Sequence, residues 1–303
     1  DAFAVILNDT SNGAGWCTSI IELQLASLQL CDACRSVPAF RLRIRCGTPR
    51  HLWTNDNAGT PGRLRSSRVP AVRPRTVVWE LPASEFRGRT GDNLAALKSL
   101  TFGDYFQDPV DGIVWPRGLE VLKFGFPFNH PIKNAVWPAS LQQLEFGTHF
   151  NQPIQGVQWP RSLQKLTFGT NFNQPIHRLE WPESVQRLTF GIDFNQPIIY
   201  NISWPVSLLR LTFGMHFNKA IENVSWPESL QTLVFGMRFN QLIRDVFWPE
   251  SLQTIVFGKC FNQPVKGVRW PASLQHLAFS DDFNQSFDGV SWPASFRKLT
   301  LDQ

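Results

Sequence analysis

The sequence predicts a mainly β solenoid of about ten stacked 22-residue coils, with short parallel strands and little helix. Three observations carry this prediction. Nine Trp-Pro pairs, from Trp115 to Trp292, recur every 22 residues, with one extra residue near Tyr200 between Trp181 and Trp204. Leu and Phe alternate ahead of each pair as they do in a strand with one buried face. Gly and Pro recur at fixed points and interrupt each unit before a multi-turn helix can form. Self-similarity at such a period means that each coil buries its apolar face against its neighbours, so an excised coil should not fold.

The copy from Leu141 to Ser162 serves to number the unit from 1 to 22. Leu at positions 1 and 4 and Phe at 6 place a short strand at 3–6. Gly at 7 ends it, as Gly103, Gly125, Gly147, Gly169, Gly191, Gly214, Gly236 and Gly258, and the ninth copy has Ser280 instead. A row of glycine implies a backbone angle forbidden to side chains, or close approach of another group. Phe-Asn-Gln-Pro-Ile follows at 10–14. Asn at 11 suits a stacked amide ladder that satisfies backbone groups the short strands leave unpaired. Ser at 22 is placed to bond the backbone where the chain turns into the next strand.

The segment Phe150-Asn151-Gln152-Pro153-Ile154 and its copies resemble the FNIP repeats, relatives of the leucine-rich repeats. The likeness spans about residues 94–303. It implies a leucine-rich-repeat-like solenoid, curved, with parallel strands on its concave face and a role in binding other proteins. Members of the family often carry an F-box ahead of the repeats, which would make this chain the substrate-recognition part of a ubiquitin-ligase receptor. No Leu-Pro-initiated F-box pattern is present in the sequence.

The N-terminal third divides differently. Residues 1–25 fit the frame as a degenerate coil without a gap, Asp1-Ala2-Phe3 on positions 4–6 and Trp16 on the Trp of Trp-Pro. Together with the missing initiator Met, this reads as a fragment whose chain begins inside a coil. Residues 26–93 lose the frame and are rich in Arg, Pro and Gly. Within them Phe40, Leu42, Ile44 and Cys46 alternate with arginines, as one more strand would. Before Lys98 there are 12 Arg, no Lys and 8 acidic residues, so four of the chain's five surplus positive charges lie outside the clear repeats. One reading is a basic, disordered arm that meets nucleic acid or another anionic partner. The composition favours an insertion or translated non-coding DNA. Residues 94–303 form the repeat domain.

Nothing in the pattern points to catalysis or a cofactor. The five histidines inside the repeats, His130, His149, His177, His216 and His276, fall at positions 12, 9, 15, 9 and 3, so no face collects them. Phosphate loops and nucleophile elbows are missing from the sequence. Cys31-x-x-Cys34 with Cys17 and Cys46 lacks a second close pair, so zinc is not expected. The five cysteines do not resemble a secreted disulfide framework, which makes the cytoplasm the expected compartment. No apolar run approaches the ~20 residues needed to cross a membrane. The expected function is that of a protein–protein interaction scaffold.

In a strand over positions 3–6, the side chains at 3 and 5 face outward. Reading down the stack, Lys165, Arg187 and Arg210 form a basic stripe beside Thr167, Thr189 and Thr212. Below it Val234 and Val256 form an apolar step beside Thr232 and Thr254. This surface is expected to bind a protein partner with an acidic segment and an apolar end. Asp193 stands as a candidate counter-ion for one of the three cations.

Overall fold

The structure, a computed structural model, describes residues 4–5, 41–44, 76–79, 97–104, 106–199 and 202–301. Three strands lie in the N-terminal third: β1 (Ala4–Val5), β2 (Arg41–Ile44) and β3 (Thr76–Trp79). Ten more follow at the repeat period: β4 (Ser99–Phe102), β5 (Val121–Lys123), β6 (Gln143–Glu145), β7 (Lys165–Thr167), β8 (Arg187–Thr189), β9 (Arg210–Thr212), β10 (Thr232–Val234), β11 (Thr254–Val256), β12 (His276–Ala278) and β13 (Lys298–Thr300). All pair in chain order into one 13-stranded parallel sheet. None of the described residues is helical. β2 coincides with the alternating Arg stretch, whereas β3 lies where the sequence offered no frame. The cysteines before the repeats and the rest of the Arg-rich segment lie outside the described residues.

From β5 onward each strand ends at position 5, one residue short of the expectation. The Phe N–H at position 6 still donates to the next coil, as Phe146 N to the Thr167 carbonyl at 2.9 Å. The chain then turns at once, with the Phe150 N–H closing onto the Gly147 carbonyl. Two further tight turns bend each coil, Val157 N to Ile154 O and Leu163 N to Pro160 O in this copy. The middle turn carries a residue with positive φ: Gly112, Gly156, Gly267 and Gly289, and also Arg178 at 55° and Asn223 at 61°.

Burial follows the repeat. In one coil Leu163, Leu166, Phe168, Phe172, Ile176, Leu179 and Trp181 are all at most 8% exposed. The two Phe rows form a double column, with Phe168 and Phe172 4.0 Å apart within a coil and Phe150 and Phe172 6.1 Å apart between coils. Such pairs contribute about 0.5–1.5 kcal/mol each beyond burial. The Trp rings stack in a third column, Trp226 on Trp248 at 6.3 Å.

Polar ladders satisfy what the strands cannot. The Asn173 backbone N–H donates to Asn151 Oδ1 at 3.0 Å, and Gln174 Nε2 reaches the same oxygen at 2.9 Å. Ser162 Oγ donates to the Leu141 carbonyl at 2.7 Å, a bond from position 22 back across one full turn to position 1 that recurs down the stack. These contacts run between coils, which is why the unit depends on its neighbours.

Candidate functional site

The strands hold a buried residue at position 4 between two outward-facing ones, and this builds the candidate surface. Lys165 on β7 pairs in register with Arg187 on β8, and Arg187 with Arg210 on β9. β8 and β9 keep that register across the one 23-residue interval in the stack. Thr167, Thr189 and Thr212 form the parallel row two residues on. The next pair of strands aligns Thr232 with Thr254 and Val234 with Val256, and all four are half-buried. Adjacent members of each row are about 4.8 Å apart in the pairing direction.

Arg187 and Arg210 are exposed and Lys165 is half-buried. Among the described residues none of the three cations forms an ion pair. Glu145 binds Lys123 at 2.7 Å. Asp193 is not a counter-ion of the stripe: its carboxylate lies 3.1 Å from His216 Nδ1. Both residues occupy position 9, and a ladder of position-9 N–H to position-8 carbonyl bonds sets them side by side. Like charges at this spacing repel by on the order of 1 kcal/mol per neighbour in water, a cost that an anionic group would remove.

Two features escaped the sequence reading. Ile192, Met215 and Met237, at position 8 of three successive coils, are 39%, 36% and 43% exposed and form an apolar row just past the strand ends. Reading position 8 down the stack would have shown them. A polar groove of about 560 Å³ runs along the Asn ladder, lined by Asn151, Asn171, Asn173, Asp193, Asn195, His216 and Arg238. The sequence assigned Asn151, Asn173 and Asn195 to the framework alone, because a ladder explains them fully, and gave Asn171 no role.

Among the described residues no three His, Cys, Asp or Glu side chains come together to hold a metal ion, and no helix is long and apolar enough to cross a membrane. His276 on β12 sits within 3.0 Å of Thr300 Oγ1. Burial lowers its pKa from the ordinary 6.5, with a further contribution from Lys298.

Of the solved structures, one described as "a novel circular LRR protein structure", CroV588, is 34% identical over 75% of this chain, with a TM-score of 0.54. The present chain spans 40% of the length of that protein. A leucine-rich repeat protein from Bacteroides ovatus ATCC 8483 is 15% identical, with 75% of this chain and 67% of that one covered, and its TM-score is 0.27. No curated protein matches. A leucine-rich-repeat-like solenoid is a fold commonly used for protein interaction, and repeats of this kind are generally non-catalytic. The FNIP Repeat model matches residues 128–171, 172–216, 217–260 and 261–303, more than half of the sequence, and the chain belongs to the FNIP repeat family.

Proposed function

We propose that this protein is a non-catalytic scaffold that binds another protein through the outward, concave face of its strands, and that the bound segment is acidic with an apolar end. The observation that carries this reading is the row Lys165, Arg187 and Arg210. Three cations stand in direct register, without ion-pair partners among the described residues, beside a threonine row and a valine step. Framework positions repeat almost without change, while positions 3 and 5 vary, so any selectivity must reside in the varied rows.

The test is affinity purification from cell lysate with the full chain as bait, beside a variant carrying Lys165→Glu, Arg187→Glu and Arg210→Glu. Circular dichroism checks that both are folded. Proteins retained by the first bait and lost from the second support the reading. Recovery of the same proteins by both would show that the stripe is solvated surface.

A further inference from the structure

We infer that the group recognised by the basic stripe is a single phosphate, carried on a phosphoserine or phosphothreonine of the bound segment. This rests on the proposed strand-face function and names the chemistry of its acidic end. Six side chains form the site. Lys165, Arg187 and Arg210 stand at position 3, and Thr167, Thr189 and Thr212 stand two residues on, on the same face of the same strands. Arg187 and Arg210 are exposed, and Lys165 and the three threonines are half-buried. Among the described residues none of these six side chains enters a hydrogen bond or an ion pair.

The extent of the patch selects one compact anion over a polyanionic chain. Its three cations span about 9.6 Å along the stack. The same row continues with Gln143 on one side and Thr232 on the other, both uncharged. The threonine row is flanked by Val234 and by Glu145, whose charge Lys123 already balances. A nucleic-acid backbone carries a phosphate at every nucleotide and would need the row of cations to continue.

Charge and donor count select phosphate over carboxylate. A carboxylate brings one negative charge, and a single guanidinium fork engages both of its oxygens. The second arginine, about 4.8 Å away, would then stay uncompensated. A phosphomonoester carries about −1.5 to −2 charges at pH 7 and three strong acceptor oxygens. It can neutralise Arg187 and Arg210 together. The cation and threonine rows lie about 6.8 Å apart along the strand, so a phosphate between them meets guanidinium groups on one side and hydroxyls on the other. Lys165 adds a point charge at the end of the row.

The experiment measures binding of the full immobilised chain to three matched degenerate peptide libraries, whose central residue is phosphoserine, serine or glutamate. Expected is retention of the phosphoserine library about tenfold or more above the glutamate library, since two forks and two hydroxyls act on one dianion. Arg187→Lys/Arg210→Lys keeps every charge but loses the forks, and should weaken phosphoserine binding about tenfold. Thr189→Val/Thr212→Val keeps β-branched side chains and should weaken it severalfold. Circular dichroism checks that each variant is folded. Equal retention of the phosphoserine and glutamate libraries, or phosphoserine binding unchanged in either pair, overturns the phosphate assignment. If Arg187→Glu/Arg210→Glu still abolishes binding in that case, the acidic-segment reading stands. Binding that survives Arg187→Glu/Arg210→Glu sinks both. A single-stranded oligonucleotide held as tightly as the phosphopeptides, with an affinity that falls steeply with salt, would assign the stripe to a polyanion and overturn the inference. Retention of no library overturns it too, and leaves protein binding to be judged by the lysate purification.

Discussion

The carbonyl oxygen of Gly125 stands 1.7 Å from the point that a β-carbon on Gly147 would occupy. The same approach recurs at Gly169, Gly191, Gly214 and Gly236, at 1.6–1.8 Å. None of these glycines has positive φ, so the row exists for space rather than for backbone freedom. Because the obstacle is backbone on the preceding coil, Gly191→Ala should destabilise by ~3 kcal/mol or more, well beyond glycine's ordinary effect of ~0.5–1. Urea denaturation of the two proteins measures it, and a loss below ~1 kcal/mol would contradict the packing described.

Ser280 occupies this row without breaking the stack, because its hydroxyl enters the ladder. In earlier coils the position-9 N–H donates directly to the position-8 carbonyl, as Cys260 N does to Met237 O at 2.8 Å. At Ser280 the Asp282 N–H donates to Ser280 Oγ at 3.2 Å, and that hydroxyl donates to the Lys259 carbonyl at 3.0 Å. Ser280→Ala should therefore cost about 1–3 kcal/mol by leaving both backbone groups unbridged. Ser280→Gly lets the coil close to the direct bond and should cost less than Ser280→Ala. The reverse order would mean that the bridge contributes nothing.

The contrast between Gly147 and Ser280 shows what a repeat makes readable. Strand rows, core rows and the Asn and Ser ladders were legible because each is one chemical requirement repeated, so a side chain such as Asn151 announces its role by recurring. Position 16 was not read, because the positive φ there is held by Gly156, Arg178 and Asn223 alike, and the shared property is conformation rather than residue type. Asp193 was assigned to the wrong partner because positions 8 and 9 lie in a turn, where neighbours are set by the coil's path and not by alternation. Ile192, Met215 and Met237 went unnoticed because position 8 elsewhere takes Thr148 and Lys259, with no framework demand. β3 was not predicted, since Thr76–Trp79 lacks the flanking Gly and Phe-Asn of the unit.

The amide ladder is thinned at one place. Asn195 Oδ1 accepts the Asn218 N–H at 3.0 Å, but Lys219 stands where Gln152, Gln174, Gln196, Gln241, Gln263 and Gln285 clamp the preceding Asn in their coils. In the adjoining coil Gln241 Nε2 reaches Asn218 Oδ1 at 2.7 Å. Lys219→Gln should supply the missing clamp and stabilise by ~0.5–1 kcal/mol, the net value of an added hydrogen bond at a part-exposed site. A thermal melt that does not move would show that the clamp is ornamental.

Arg178 holds φ at 55° in the turn where Gly156 has 75°. A left-handed backbone costs a residue with a β-carbon about 1–2 kcal/mol, partly offset by the entropy that glycine loses on folding. Arg178→Gly should therefore stabilise by ~0.5–1 kcal/mol, and Gly156→Ala should destabilise by a similar or larger amount. Denaturant midpoints of the two variants should move in opposite directions.

His276 gives the stability a pH dependence of definite sign. Burial first, and then the neighbouring charge of Lys298, lowers its pKa from 6.5, so the folded protein binds this proton less readily than the unfolded chain. The stability associated with the neutral ring is fully present above the unfolded pKa of about 6.5 and is lost as pH falls through it toward the lowered folded value. Melting temperature should drop between about pH 7.5 and pH 5.5 by more in the native protein than in His276→Gln, which does not titrate there. Lys298→Met removes only the second cause and should shrink the difference without abolishing it. An equal drop in the native protein and His276→Gln would assign the pH dependence to other groups.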